Sequence, residues 1–129
     1  MKHIPIQDSD TDKLVEAAIE GILNKKGLEV ISMDMRELPN AVTDAFVICH
    51  ATSDIQARAI ADAVIDETIK RCKSKPWHRE GLQNAEWILL DYVDVVVHIF
   101  QEKARRFYNL EDLWADARIR HITDENNGD

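Results

Sequence analysis

Two carboxylates, Asp91 and Asp94, frame a short turn between apolar runs. Paired carboxylates could hold a divalent metal for nucleotidyl transfer, but that chemistry wants them at i and i+2 on one strand, with a Gly-Ser phosphate cradle before a helix. Here the spacing is i, i+3, and no Gly-Ser pair exists in the chain. The reading that remains is a pair of solvated turn carboxylates. Cys49-His50 are adjacent, and neighbours on a strand point to opposite faces, so they make a poor nucleophile and base. Cys72 stands alone, and neither cysteine belongs to a CxxC or a spaced Cys/His set, which suits two isolated thiols in a reducing compartment. His98 sits mid-strand without a second ligand nearby, and His78-Arg79-Glu80-Gly81 lacks metal-ligand spacing. No Gly-rich phosphate loop and no Ser/His/Asp layout is present. These residues predict no catalytic site, no metal and no cofactor.

The elements that would carry them follow from periodicity. Ser9-Asp10-Thr11-Asp12 supply capping residues. Leu14, Val15, Ala18, Ile19, Ile22 and Leu23 then recur at helical spacing, and Lys25-Lys26-Gly27 supplies a stop, so a helix is expected over about 11–26. Leu28 to Met33 and Ala45 to Cys49 read as strands, the second as a buried one. Ser53 and Gln56 match a capping box, with the Ser53 hydroxyl accepting from the Gln56 amide and Gln56 reaching back to the Ser53 N–H. A long helix follows, with a stripe of Ile55, Ala59, Ile60, Ala63, Val64, Ile69 and Cys72. Lys70, Arg71, Lys73 and Lys75 offset its macrodipole, and Pro76 stops it. Residues 86–91 and 94–100 form a hairpin, and residues 102–113 one or two short helices. The fold class is α/β: a single domain with a mixed sheet, two main helices and a short helical C-terminal segment. Residues 1–10 are expected as an N-terminal extension, 11–118 as the domain, and 119–129 as a flexible polar tail.

Pairing Asp91 with Asp94 across a two-residue turn sets Trp87 opposite His98. One face of the hairpin then carries Ile88, Leu90, Val95, Val97 and Ile99, an aliphatic core face. The other carries Trp87, Leu89, Val96, His98 and Phe100. Two helices cannot easily cover both faces, so this mixed face is either covered by the C-terminal segment or left open for a partner. Exposed apolar patches usually mark interaction sites, and tryptophan is enriched in interface hot spots. Periodicity alone favours Trp87 as a core residue.

Composition sets outer limits. The chain has 129 residues, enough for one domain, with 45% hydrophobic and 31% charged residues, as in an ordinary globular protein. No apolar run approaches the ~20 residues that span a bilayer. The N-terminus has no secretory apolar region and no Arg-rich transit pattern. The net charge is −8, which argues against a grip on naked nucleic acid. Residues 1–69 hold 6 Lys/Arg against 13 Asp/Glu, and residues 70–129 hold 10 against 11. An acidic body with a near-neutral apolar face suits a basic protein partner.

Several strings together resemble the Iojap-like ribosomal silencing factors: Thr43-Asp44-Ala45-Phe46-Val47-Ile48, Thr52-Ser53 with Gln56, Glu80-Gly81, residues 86–92, residues 94–100, and Arg106-Phe107-Tyr108-Asn109-Leu110-Glu111-Asp112-Leu113-Trp114. The match runs over about residues 11–117. The resemblance implies an α/β fold related to nucleotidyltransferases, without catalysis. It implies binding to the large ribosomal subunit through ribosomal protein L14, obstruction of small-subunit joining, and repressed translation in the cytoplasm. It also implies a possible homodimer when free. It reverses the reading of the mixed face: Trp87 becomes the expected anchor, with Leu89, Val96, His98 and Phe100 around it, and Glu80, Gly81, Arg106 and Tyr108 as weaker partner-binding candidates. Arg106 and Tyr108 could instead brace the C-terminal segment. The family usually carries glycine where this chain has Val93, and valine would be strained at the positive φ such a turn needs. A diverged metal-dependent nucleotidyltransferase using Asp91 and Asp94 is the alternative, and an obligate homodimer paired through the Trp87 face is a third.

Overall fold

The computed structural model describes residues 3–123. Helix α1 (His3–Asn24) leads into β1 (Leu28–Asp34) and β2 (Ala45–Ala51), followed by α2 (Asp54–Cys72). Strands β3 (His78–Glu80), β4 (Trp87–Asp91) and β5 (Val95–Gln101) come next, then α3 (Glu102–Tyr108), α4 (Leu110–Leu113) and β6 (Arg118–His121). The six strands form one mixed sheet in the order β3-β4-β5-β2-β1-β6. β2 and β5 are the parallel central pair, and the other pairs run antiparallel. Every residue of β2 is buried, as its unbroken apolar run predicts.

The sheet has a core on each face. On one face α1 and α2 cover Val47, Cys49, Ile88, Leu90, Val95, Val97 and Ile99, among others. The helices approach closely because residue 21 is glycine: a Cβ there would stand 2.6 Å from the Val64 Cα. On the opposite face a smaller core gathers Ile31, Met33, Met35, Phe46, Ile48, Phe100 and Leu110 beneath α3 and α4.

Several sequence expectations change in detail. α1 begins at His3, so Asp10–Asp12 lie within the helix rather than before it, and the Thr11 hydroxyl donates to Asp44 Oδ2 at 3.4 Å. Ser53 does cap α2 by accepting from the Gln56 N–H at 3.0 Å. The Gln56 side chain reaches back one residue further than expected, accepting from the Thr52 N–H, while its amide donates to the Lys25 and Lys26 carbonyls. This ties the end of α1 to the start of α2. The buried face of α2 is Ala57, Ile60, Ala61, Val64 and Thr68, whereas Ile55 and Ile69 are exposed. α2 ends at a left-handed Lys73, three residues before Pro76. Residues 78–80, given no element by the sequence reading, add an edge strand to β4. Arg118–His121, placed at and beyond the domain's expected end, add another to β1, with Ile119 packed on the smaller core. Residues 124–129 of the expected tail lie outside the described residues.

The hairpin register is two residues longer than expected. Trp87 pairs with Phe100, Leu89 with His98, and Asp91 with Val96. Side chains alternate with a period of two, so a two-residue shift preserves both faces. The turn is tight in another way. The Asp94 N–H donates to the Tyr92 carbonyl at 2.9 Å across Val93, whose φ is +76°. That is the strained γ-turn that glycine would enter freely. Two neighbours hold it: the Val93 N–H donates to Asp91 Oδ1 at 2.7 Å, and the Thr43 hydroxyl donates to the Val93 carbonyl at 2.8 Å.

Candidate aromatic docking surface

The mixed hairpin face holds a chain of rings in tilted and edge-on contact. Trp87 on β4 lies 5.0 Å from Phe100 on β5 and 4.6 Å from Tyr108 on α3, between ring centroids. Phe107 stands edge-on to Tyr108 at 5.0 Å. Burial grades along this chain. Phe100 is fully buried, Trp87 is half-buried, Tyr108 is 49% exposed and Phe107 is 79% exposed. The surface therefore has a sealed base and an open lip.

His98 is part of the base. It is buried, edge-on to Phe46 at 4.5 Å, and its Nδ1 accepts from the Trp87 indole N–H at 3.1 Å. The imidazole proton must then sit on Nε2, which meets no hydrogen-bond partner among the described residues. Burial pushes the His98 pKa down to about 3. The ring is thus neutral and fixes the rotation of the Trp87 indole.

Arg105 anchors α3. It is 2% exposed and bonds Glu111 Oε2 through Nε (3.1 Å) and Nη2 (2.9 Å), the Leu28 carbonyl (3.3 Å) and His50 Nδ1 (3.0 Å). One guanidinium thereby joins α3, α4, β1 and β2. Burial lowers the His50 pKa, and the charge of Arg105 lowers it further.

The expected site residues divide into distinct roles. Trp87, Leu89 and Val96 are half-buried on one face, and Tyr108 joins them from α3. Phe100 and His98 are buried, so the expectation that they contact a partner directly is corrected: they support the surface from beneath, because α3 and α4 seal that part of the sheet. Glu80 pairs with Leu89 across the strands and so shares their face, where its Oε2 meets His78 Nε2 at 2.7 Å. Gly81 adopts φ +83°, and a Cβ there would overlap the Trp87 carbonyl, so it sets backbone approach rather than offering a contact. Arg106 is a brace, bonded to Glu29 at 3.0 Å and Glu102 at 3.2 Å. Sequence reasoning missed Phe107 as an exposed aromatic and Arg105 as the buried anchor. The Arg105-Arg106-Phe107-Tyr108 string was the available signal, but helical phase alone does not tell which arginine turns inward.

Asp91 and Asp94, the carboxylates considered for metal-dependent transfer, flank the γ-turn rather than sharing one strand. Asp91 spends Oδ1 on the Val93 N–H. Among the described residues no group of three or more His, Cys, Asp or Glu could hold a metal ion. Two clefts, of about 460 and 530 Å³, are lined by other residues than Trp87. The buried Cys49 thiol is pushed up to about 12 by desolvation, which keeps it unreactive. Among the described residues no helix is long and apolar enough to cross a membrane.

Comparison with known proteins supplies the context. A family model described as ribosomal silencing factor during starvation matches residues 8–129. The ribosomal silencing factor RsfS of Bacillus subtilis is 38% identical over 110 residues, covering 85% of this chain and 89% of that protein. The RsfS of Halalkalibacterium halodurans is 35% identical over 105 residues, covering 81% of this chain and 88% of that protein. A crystal structure of a Chromobacterium violaceum protein superposes with a TM-score of 0.75 at 29% identity, covering 81% of this chain and 85% of the other.

Proposed function

The chain belongs to the RsfS family of ribosomal silencing factors, and from that premise we propose that it binds the large ribosomal subunit through ribosomal protein L14 and keeps the small subunit from joining. Translation is then repressed by occupancy, in the cytoplasm, without turnover or a cofactor. The observation that carries this reading is the graded aromatic surface running from Phe100 through Trp87 to Tyr108 and Phe107. A sealed aromatic base with a half-exposed tryptophan is the arrangement of an interface hot spot, where a rigid anchor loses little entropy on docking. The acidic body, at net charge −8, complements a basic ribosomal protein. A free homodimer would use the same exposed rings and would have to open before docking.

The test is co-sedimentation with isolated large subunits. Wild type is expected to pellet with them. Trp87→Ala is expected to weaken the association by about 2 kcal/mol or more, close to thirtyfold. A folded Trp87→Ala variant that pellets as well as wild type removes the tryptophan as anchor. Absence of wild-type co-sedimentation overturns the reading as a whole. Light scattering of wild type against Trp87→Glu reports separately on self-pairing.

A further inference from the structure

The end of α2 and the strand after it differ in charge from the rest of this acidic protein. Between residues 70 and 79 the chain holds five Lys/Arg and no Asp or Glu. Lys70, Arg71, Lys73, Lys75 and Arg79 are all exposed, and in their midst Trp77 is 78% exposed.

Arginine pairing sets this patch apart. Arg36, Arg58, Arg105, Arg106, Arg118 and Arg120 each meet a carboxylate within 3.3 Å. The side chains of Arg71 and Arg79, both in the patch, make no ion pair or hydrogen bond among the described residues. Lys70 has only a loose 3.7 Å contact with Glu67. Lys70 and Arg71 are placed to offset the dipole of α2. That role does not extend to Lys75 and Arg79, which lie beyond the helix, nor to an indole left in solvent. Acids near the patch include Glu67, held to Lys70, Glu80, held to His78 on the opposite face of the sheet, Asp91, whose carbonyl accepts from the Trp77 N–H and whose Oδ1 accepts from the Val93 N–H, and Asp10 and Asp94 in the cleft beside Arg71 and Lys73.

Unpaired cations interleaved with an exposed aromatic ring match the chemistry of an RNA strand: phosphates for the cations and an unstacked base for the indole. An acidic peptide would satisfy the cations and leave Trp77 without a role. The patch meets β4 at the end far from Trp87, where the Trp77 N–H donates to the Asp91 carbonyl at 2.7 Å. His78 and Glu80 lie on the Trp87 face, and Arg79, opposite Leu90, lies on the other. We propose that Trp77 and the cations around it form a second contact surface, separate from the protein contact at Trp87, that binds a single-stranded segment of RNA in the large subunit. The proposal rests on the large-subunit reading for the source of the RNA, while RNA binding itself is measurable without it.

The experiment is an anisotropy titration of the full chain against a fluorescein-labelled, mixed-sequence single-stranded RNA of twelve nucleotides, at 50 and 200 mM salt. Saturable binding that weakens as salt rises is expected; four contacted phosphates would give a loss of roughly fiftyfold over this range. Trp77→Ala is expected to weaken binding about tenfold. The double substitution Arg71→Gln, Arg79→Gln is expected to weaken it and to reduce the logarithmic salt slope by about 1.4, for two lost phosphate contacts. Trp87→Ala should bind the RNA as wild type does. No saturable binding at 50 mM salt, or binding indifferent to Trp77 and the two arginines, overturns the proposal. So does equally tight binding of a labelled poly-glutamate peptide, which would make the partner an acidic protein. If RNA binding meets these expectations while wild type fails to pellet with large subunits, the silencing reading falls and the RNA surface stands.

Discussion

Val93 is the residue most at odds with its position. Its φ of +76° lies in the region that costs an L-residue about 1–2 kcal/mol, and β-branching adds to the crowding. Glycine would remove the strain but lose about 0.5–1 kcal/mol in backbone entropy. Val93→Gly is therefore expected to stabilise the protein by about 0.5–1 kcal/mol, read as a higher denaturant midpoint at unchanged slope. The same residue shows where sequence reasoning stopped. The positive φ was readable from the family resemblance, but the γ-turn was not, because it depends on Asp91 at the end of β4 and Thr43 in the segment before β2 clamping the loop. The faces were readable despite the wrong register, since alternation survives any even shift.

At the scale of elements, two contacts set how the helices sit. Gly21 lets α1 lie against the backbone of α2, where Ala63 O would stand 2.7 Å from an added Cβ. Backbone cannot yield as a flexible side chain does, so Gly21→Ala is expected to cost about 1–3 kcal/mol in chemical denaturation. On the other face, the short α3 and α4 are held through Arg105. Glu111→Gln weakens the only carboxylate contact that the buried Arg105 guanidinium makes among the described residues and is expected to cost about 2 kcal/mol or more. The accompanying sign would be a red-shifted Trp114 emission as α4 loosens, since Trp114 packs against Phe46. The two main helices were legible because their apolar period is long and capped. β3 and β6 were not, because a short edge strand with one solvated face carries little apolar pattern: β3 has none, and β6 has only Ile119.

Across the whole molecule, the two cores differ in their response to acid. The smaller core holds both buried imidazoles, His98 and His50, and each has its pKa lowered by burial. Unfolding returns them to about 6.5, so the unfolded chain binds more protons below that pH, and stability falls as pH drops. For His98 the loss continues to about pH 3 and approaches 5 kcal/mol there. The large core holds Cys49 and Tyr92, whose pKa values are raised by burial and which do not titrate in acid. Between pH 6 and 4, tryptophan emission is expected to change before far-UV dichroism is lost. His98→Gln should move the emission change to lower pH. Coincident transitions in the wild type would count against this division. The sequence showed two apolar faces on one hairpin, and that was enough to foresee a surface. It could not show which residues the short helices would seal, because that depends on how Arg105 folds α3 back over β2 and β5.

The aromatic surface is assembled from segments that leave the ribosome at different times. Trp87 emerges with β4, but Phe107, Tyr108 and the Arg105–Glu111 clasp follow only as the chain is extended through residue 113. Domains tend to fold from the N-terminus as they are made. A nascent chain can close α1 and α2 over the central strands while the residues that complete its docking lip are still inside the exit tunnel. Under the silencing reading, an unfinished copy lacks the means to occupy a free large subunit, and premature termination before α3 yields an inert fragment.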